Sequence, residues 1–188
     1  MPDADRHLPV WNLIGGNQHT PSSLPWQASC TSAVNIINMG TWIKDTLTTG
    51  AVASATTTAA VAALGKLEGR SAVAPINAVS HILWGEEAAD TEQLDARHTL
   101  AGAGLNAVAV TGWAGLHELF MPRSGTPSAK RALLAGIATA TVAYVTDYHV
   151  VPKRFTPGFE KRLSGKALFG VYAALALSLA AGSLCRRR

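Results

Sequence analysis

Four apolar stretches of this chain, at 46–65, 99–117, 132–146 and 167–185, lack Asp, Glu, Lys and Arg, and more polar segments separate them from one another. A helix needs about 20 mainly apolar residues to cross a lipid bilayer. Three of the stretches reach that length, and the third in chain order reaches it if Asp147 is accommodated near its end. The pattern predicts membrane-spanning helices at about 46–65, 99–120, 131–151 and 166–185.

The composition of these stretches argues against a soluble, alanine-rich bundle. A soluble bundle needs charged residues on the outward face of each helix, at a period of 3.6 residues, and these segments have no charged face. The fourth stretch is rich in Leu and Ala, whereas the first is rich in Ala and Thr and only marginally apolar. Glycines recur inside the stretches, and small residues allow membrane helices to approach closely.

The segments between the stretches complete the predicted architecture. Residues 1–40 contain prolines, polar residues and scattered tryptophans without a sustained period, which is typical of a flexible tail. Residues 66–98 contain a predicted helix from Pro75 to Trp84, with Asn77, Ser80, His81 and Trp84 on one face. This helix is too short to span a bilayer, so we expect an interfacial or re-entrant position.

The predicted fold class is therefore all-α. It is a four-helix transmembrane bundle over 41–188, with a short interfacial or re-entrant helix and a loosely ordered N-terminal tail over 1–40. We expect a multi-pass protein of the bacterial inner (cell) membrane. The counts of Lys and Arg on the two sides are equal, so the positive-inside rule does not decide the orientation. The basic C-terminus directly after the fourth span favours cytoplasmic termini.

The overall composition agrees with a membrane protein and excludes several other classes. Only 15% of the residues are charged and 48% are hydrophobic, against roughly 25% charged in an average soluble domain. Two cysteines are too few for a disulfide scaffold. The net charge is +4, but the basic residues flank apolar runs. Anionic lipid head groups are therefore the expected partners of these residues, and nucleic acid is not.

Four polar side chains are candidates for a metal site at one end of the predicted bundle: His81, His98, Asp147 and His149. Imidazole and carboxylate groups suit a divalent metal such as zinc or non-haem iron, and two facing histidines suit a haem. The competing interpretation is interfacial capping or pairing, with Asp147 next to Lys153 or Arg154. If His81 and Asp147 meet, we expect a structural clamp between the short helix and span three.

Other polar and aromatic residues in the predicted spans have structural interpretations. Asn106 is expected to form a hydrogen bond between helices. Trp84, Tyr144, Tyr148 and Tyr172 are expected at the membrane interface or in packing. The hydrolase, metalloprotease, P-loop and dinucleotide-binding motifs are absent from the sequence, so no catalytic residue is predicted.

Two segments, PINAVSHILWGEEA and DYHVVPKRFTPGFEKRLS, are similar to those of a group of small, uncharacterised proteobacterial inner-membrane proteins. The resemblance covers about residues 39–185. The positions that carry it are Asn77, His81, Trp84, Gly85, Asp147, Tyr148, Pro152, Pro157 and Gly158. It implies the four-span plan, and it implies no activity because the group has no established one.

The sequence therefore predicts an integral membrane protein that is a non-enzymatic accessory, structural or assembly component. Its expected partners are the lipid bilayer and either copies of itself or a larger membrane complex. No cofactor is expected on this hypothesis. The alternative is a membrane protein that binds a divalent metal or haem at the His/Asp end of the bundle.

Overall fold

The computed structural model describes residues 25–123 and 125–185, with side chains from residue 39 onward. Within these ranges the regular secondary structure is helical, which confirms the all-α prediction. The α-helices are α1 (Pro25–Leu67), α2 (Ala74–Ala78), α3 (His81–Trp84), α4 (Ala96–Leu119), α5 (Ala129–Val145) and α6 (Gly165–Leu184). Residues 1–24 of the predicted tail, 1–40, lie outside the described residues. The described part of the chain begins at Pro25, which is the first residue of α1.

Polar side chains set the starts of the three long helices that follow α1. The Asp95 carboxylate accepts hydrogen bonds from the backbone N–H groups of Arg97 and His98. Ser128 and Ser164 cap α5 and α6 in the same way. Such caps satisfy N–H groups that lack a partner within the helix. They place the helix starts within three residues of the predicted span starts.

The long helices run in alternating directions, so the bundle has two ends. The linker end contains the connections 68–95 and 151–164, and the loop end contains the connection 120–128. At the linker end the Glu68 carboxylate, just after α1, accepts a hydrogen bond from the Ser164 N–H at 2.9 Å. At the loop end the Trp42 indole N–H of α1 donates to the Gly115 carbonyl of α4 at 3.3 Å.

Small side chains allow the helix backbones to approach closely. A Cβ added to Gly136 of α5 would collide with the carbonyl oxygen of Ala176 in α6. A Cβ on Gly182 of α6 would lie 2.9 Å from Cα of Thr49 in α1. These contacts confirm the packing role expected for small residues, because a larger residue at either position would force two backbones apart.

The distribution of side chains between the interior and the surface is the reverse of that in a soluble protein. The buried positions along the long helices are mostly occupied by Ala, Gly, Ser and Thr, including the fully buried Thr49 and Ser183. Large apolar side chains point outward, and Phe169, Val108 and Leu100 are 77%, 74% and 71% exposed. Soluble domains bury such residues and rarely expose them in contiguous patches.

Among the described residues, two helical stretches are long and apolar enough to cross a membrane: Met39–Leu67 and Gly165–Leu184. The other two predicted spans differ in identifiable ways. Helix α4 has 24 residues but contains Asn106, two histidines and four glycines. Helix α5 ends after 17 residues because the backbone changes to a π-helical turn at Thr146–Val150.

The predicted single helix over Pro75–Trp84 is wrong in detail. Helix α2 ends at Ala78 and α3 begins at His81, and the backbone between them forms tighter turns, such as Ser80 N–H to the Asn77 carbonyl at 2.9 Å. All residues from Ala74 to His81 are buried. Burial follows from a close approach, since a Cβ on Gly102 of α4 would collide with the Ile76 carbonyl oxygen.

The rest of the linker end is held by hydrogen bonds and ion pairs. The Asn77 amide donates to the carbonyls of Thr91 and Gln93 at 3.0 and 2.9 Å, and its oxygen accepts from the Thr99 hydroxyl at 2.6 Å. The Arg162 guanidinium binds the Asp90 carboxylate at 2.9 Å. The contacts of Asn77 connect α2 to α4 and to the segment after α3, and Arg162 connects that segment to the connection before α6.

Candidate functional site

The four residues predicted as a metal site lie at the linker end, but they bind separate local partners. Within the described ranges, no three His, Cys, Asp or Glu side chains are close enough together to hold a metal ion. His98 is at the start of α4, His81 begins α3, and Asp147 and His149 belong to the π-helical turn after α5.

His98 takes part in the capping of its own helix. Its Nδ1 donates to the Asp95 carboxylate, which also accepts the His98 backbone N–H. This hydrogen bond holds the pKa of Asp95 below its usual range. The His98 ring also packs edge-on against Trp84 at a centroid distance of 5.3 Å, and Arg97 lies over the same indole at 4.6 Å. The capping interpretation therefore holds for His98.

His81 is buried, with 1% of its surface exposed. Its Nδ1–H donates to the Ala78 carbonyl at 2.8 Å, so Nε2 carries the lone pair of the neutral ring. No described residue binds Nε2. Gly158, with φ of +80°, allows the connection before α6 to pass the ring, because a Cβ there would lie 3.0 Å from Nδ1. The ring therefore lies where the segment 74–81 and the connection before α6 pass close to each other.

The partner of Asp147 is a tyrosine of α6. The Tyr172 hydroxyl donates to Asp147 Oδ2 at 2.7 Å. The condition for a clamp between Asp147 and His81 is not met, because Asp147 accepts from Tyr172 and His81 Nδ1–H donates to the Ala78 carbonyl. The predicted pairing with Lys153 or Arg154 does not appear among the ion pairs of the described residues.

The π-helical turn presents an aromatic cluster next to Asp147. The rings of Tyr144, Tyr148 and Tyr172 lie within 5.3–6.1 Å of one another, and His149 packs against Tyr144 at 5.7 Å. One extra residue per turn shifts the register of the side chains on the helix, and such turns are frequent at functional sites. The predicted packing role of these tyrosines is confirmed by the ring contacts.

A cavity of about 270 Å³ lies beside the Asp147–Tyr172 pair. Its walls come from α1, α4, α6, the segment before α3 and the connection 155–159. Most of the wall is apolar, and four aromatic side chains contribute to it: Trp113, Phe155, Phe159 and Tyr172. An apolar cavity with a few converging polar groups is the usual form of a small-molecule site.

Asn106 is the second polar group in the cavity wall. Its amide nitrogen donates to the Thr58 hydroxyl of α1 at 3.2 Å, which confirms the predicted hydrogen bond between helices. Thr57, on the same turn of α1, also lines the cavity and donates to the Ala53 carbonyl at 2.8 Å. The cavity therefore combines an apolar wall with an amide and a carboxylate held by neighbouring helices.

The loop end contains a second group of buried polar side chains, which the sequence interpretation missed. Thr49 of α1 donates to Glu118 Oε1 at 2.7 Å. His117 Nε2 lies 3.3 Å from the Ser183 hydroxyl of α6, which itself donates to the Ala180 carbonyl at 3.0 Å. All four side chains of the two pairs are at most 2% exposed. They connect three helices.

The sequence does contain a signal for this group. His117 and Glu118 are adjacent ionisable residues at the end of an apolar run, a position that also suits solvent-exposed interfacial residues. Intramembrane ionisable groups tend to mark paired or functional positions. Their partners Thr49 and Ser183 are short hydroxyl residues in apolar stretches, and the sequence does not show that they face inward.

No family model matches this chain, and no curated protein or solved structure is significantly similar to it.

Proposed function

We propose that this protein is a four-span integral membrane protein and a non-enzymatic accessory, structural or assembly component. The reversed distribution of side chains carries the proposal. The long helices bury small and hydroxyl residues and expose Leu, Val, Ile and Phe. Water disfavours such a surface, whereas lipid chains solvate it.

The dimensions of all four helices support spanning. Helix α4, with 24 residues, is about 36 Å long at a rise of about 1.5 Å per residue. Helix α5 and its π-helical turn together run from Ala129 to Val150, or about 33 Å on the same scale. Both lengths exceed the hydrocarbon core of about 30 Å. The buried helix α2 and the start of α3 then form a re-entrant segment, because they enter the bundle and return to the linker end.

The contacts of the ionisable side chains support a non-enzymatic role. His98 caps α4 with Asp95, and Asp147 binds Tyr172. The first interaction caps a helix start, and the second joins the π-helical turn to α6, so each has a structural role. Placement in the bacterial inner membrane rests on the resemblance carried by the segments around His81 and Asp147.

Cysteine labelling in intact cells tests the topology. Three proteins with a single cysteine would be compared, all carrying Cys30→Ser. The first retains native Cys185. The other two also carry Cys185→Ser, and their cysteine is introduced by Thr126→Cys in the loop end or Gln93→Cys in the linker end. All three positions are exposed. With four spans, a membrane-impermeant maleimide labels Thr126→Cys and Cys185 from the same side and Gln93→Cys from the opposite side.

The competing arrangement has only α1 and α6 across the membrane, with α4 and α5 on one surface. In that case Thr126→Cys and Gln93→Cys are labelled from the same side, and the four-span proposal is wrong. Carbonate extraction provides the prior control, since release of the protein into the supernatant excludes both arrangements.

A further inference from the structure

The cavity beside Asp147 contains a carboxylate without a cationic partner. Among the described residues that line it, none is Lys, Arg or His, and Asp147 belongs to no ion pair. Oδ2 accepts the Tyr172 hydroxyl, whereas Oδ1 accepts no hydrogen bond from the described residues. A carboxylate in apolar surroundings is costly unless a cation or further hydrogen bonds compensate it.

The aromatic part of the cavity wall is suited to binding a cation. Trp113, Phe155, Phe159 and Tyr172 surround the space next to the carboxylate. Ammonium ions bind the faces of aromatic rings, and indole is the strongest of these partners. A carboxylate combined with aromatic rings in an apolar cavity is therefore complementary to an organic cation.

The size and opening of the cavity define the ligand further. The cavity volume of about 270 Å³ is close to the lower end of the range for small-molecule sites, about 300–1,000 Å³. Val108 and Phe155 at the wall are 74% and 57% exposed, so the cavity opens on the apolar side of the bundle.

We infer that this cavity binds one small lipophilic ammonium ion. The charged nitrogen lies next to the Asp147 carboxylate, and the apolar groups contact Trp113, Phe155 and Phe159. Entry from the lipid rests on the membrane placement proposed above, whereas binding itself does not require it.

Equilibrium dialysis of radiolabelled benzyltrimethylammonium tests the inference. The full chain in detergent micelles would be compared with protein-free micelles, which measure partition of the probe into detergent. Neopentylbenzene, in which carbon replaces the nitrogen, serves as a competitor of the same shape without charge. We expect saturable binding, with at least tenfold more neopentylbenzene than unlabelled ammonium needed for competition.

Asp147→Asn keeps the shape of the side chain and removes its charge, and it should weaken binding at least tenfold. Glu87→Gln is the matched control, because Glu87 is an exposed carboxylate of the linker end and its loss should leave binding unchanged. Val108→Trp places a bulky ring at the cavity opening without altering Asp147, and it should also weaken binding. This variant provides the test if Asp147→Asn folds poorly.

Three results would overturn the inference. They are binding no greater than in protein-free micelles, equal competition by the neutral compound, and equal affinity of Asp147→Asn and Glu87→Gln. None of these results depends on the number of spans. Failure of the labelling test in cells would therefore remain distinguishable from failure of the ligand test in micelles.

Discussion

The two ends of the bundle contain similar polar residues and use them differently. At the linker end, His98 and Asp95 pair within one helix start, and Arg162 binds an exposed carboxylate across two connections. At the loop end, Thr49 and Glu118 pair between helices in the fully buried interior. Water can replace contacts of the first kind, whereas buried contacts of the second kind have no such substitute.

Segments that are rich in His and Asp are therefore not the segments whose polar contacts are buried between helices. The linker end attracts attention because several histidines and carboxylates lie there. The backbone contact of Gly102 with Ile76, which involves no polar side chain, also sets how closely the buried segment 74–81 approaches α4 at that end.

The largest change in stability is expected from a substitution at that backbone contact. Gly102→Ala places a methyl group against the Ile76 carbonyl oxygen, and neither backbone can yield without moving a helix. We expect a loss of about 3 kcal/mol in the free energy of unfolding, the upper end of the usual range for overpacked sites, because the collision is with a backbone atom. Thermal unfolding of the purified protein in detergent measures it.

Gly104→Ala is the matched control, two residues along the same helix. A Cβ at Gly104 meets nothing within 4 Å, so this variant should be as stable as the parent chain or more stable by about 0.5–1 kcal/mol. Equal stability of the two variants would show that the buried segment 74–81 does not depend on the close approach to α4.

Smaller losses of stability are expected when one hydroxyl group is removed from each end of the bundle. Thr49→Val keeps the shape of a fully buried side chain and removes one donor to Glu118. We expect a loss of about 1–3 kcal/mol, the range for buried groups deprived of a partner. Tyr172→Phe removes the donor to Asp147, which is only partly buried. This change should cost about 0.5–1.5 kcal/mol.

Chemical denaturation of both variants in the same detergent gives the comparison. A greater loss for Tyr172→Phe than for Thr49→Val would reverse the order of the two ends. It would also show that the polar contact beside the cavity contributes more to the fold than the interior contact at the loop end.

The smallest expected change is a loss of stability at low pH that comes from three carboxyl groups of the linker end. Hydrogen bonds from Ser164, Lys161 and His98 hold the pKa values of Glu68, Glu86 and Asp95, respectively, below their usual range. A carboxyl whose pKa is lower in the folded state stabilises the fold at pH values above its unfolded pKa. That stabilisation is lost as the pH falls through the folded pKa.

The melting temperature in detergent should therefore decline slightly below about pH 5, where unfolded carboxyl groups begin to bind protons. Asp95→Asn should reduce the slope of that decline, since one of the three groups no longer titrates. A slope that is unchanged in this variant would show that the Asp95 carboxylate contributes no pH dependence.

The helix positions could be predicted from the sequence because charged and capping residues bound the apolar runs. The predicted spans 99–120 and 166–185 lie within three residues of α4 and within one of α6. The third span could not be predicted in full, since a π-helical turn depends on how Asp147 and Tyr148 pack against α6 and leaves no periodic signal.

The partners within the candidate sites were harder to predict for a different reason. Helices that are apolar on all sides do not reveal which face points inward. The contacts of Tyr172 with Asp147 and of Thr49 with Glu118 depend on that rotation. Asn106 was the exception, because a lone amide in an apolar helix has few favourable positions other than against another helix.

The burial of residues 74–81 has a consequence for biosynthesis. Arg162 donates to the Ala89 carbonyl across 73 positions of the chain, and Gly158 passes beside His81. At about 5–20 residues per second, these contacts become available roughly 4–15 s after the first segment has been made. Until residues 158–162 have been made, the segment around His81 can pack only against earlier parts of the chain, such as α4 through the contact of Ile76 with Gly102.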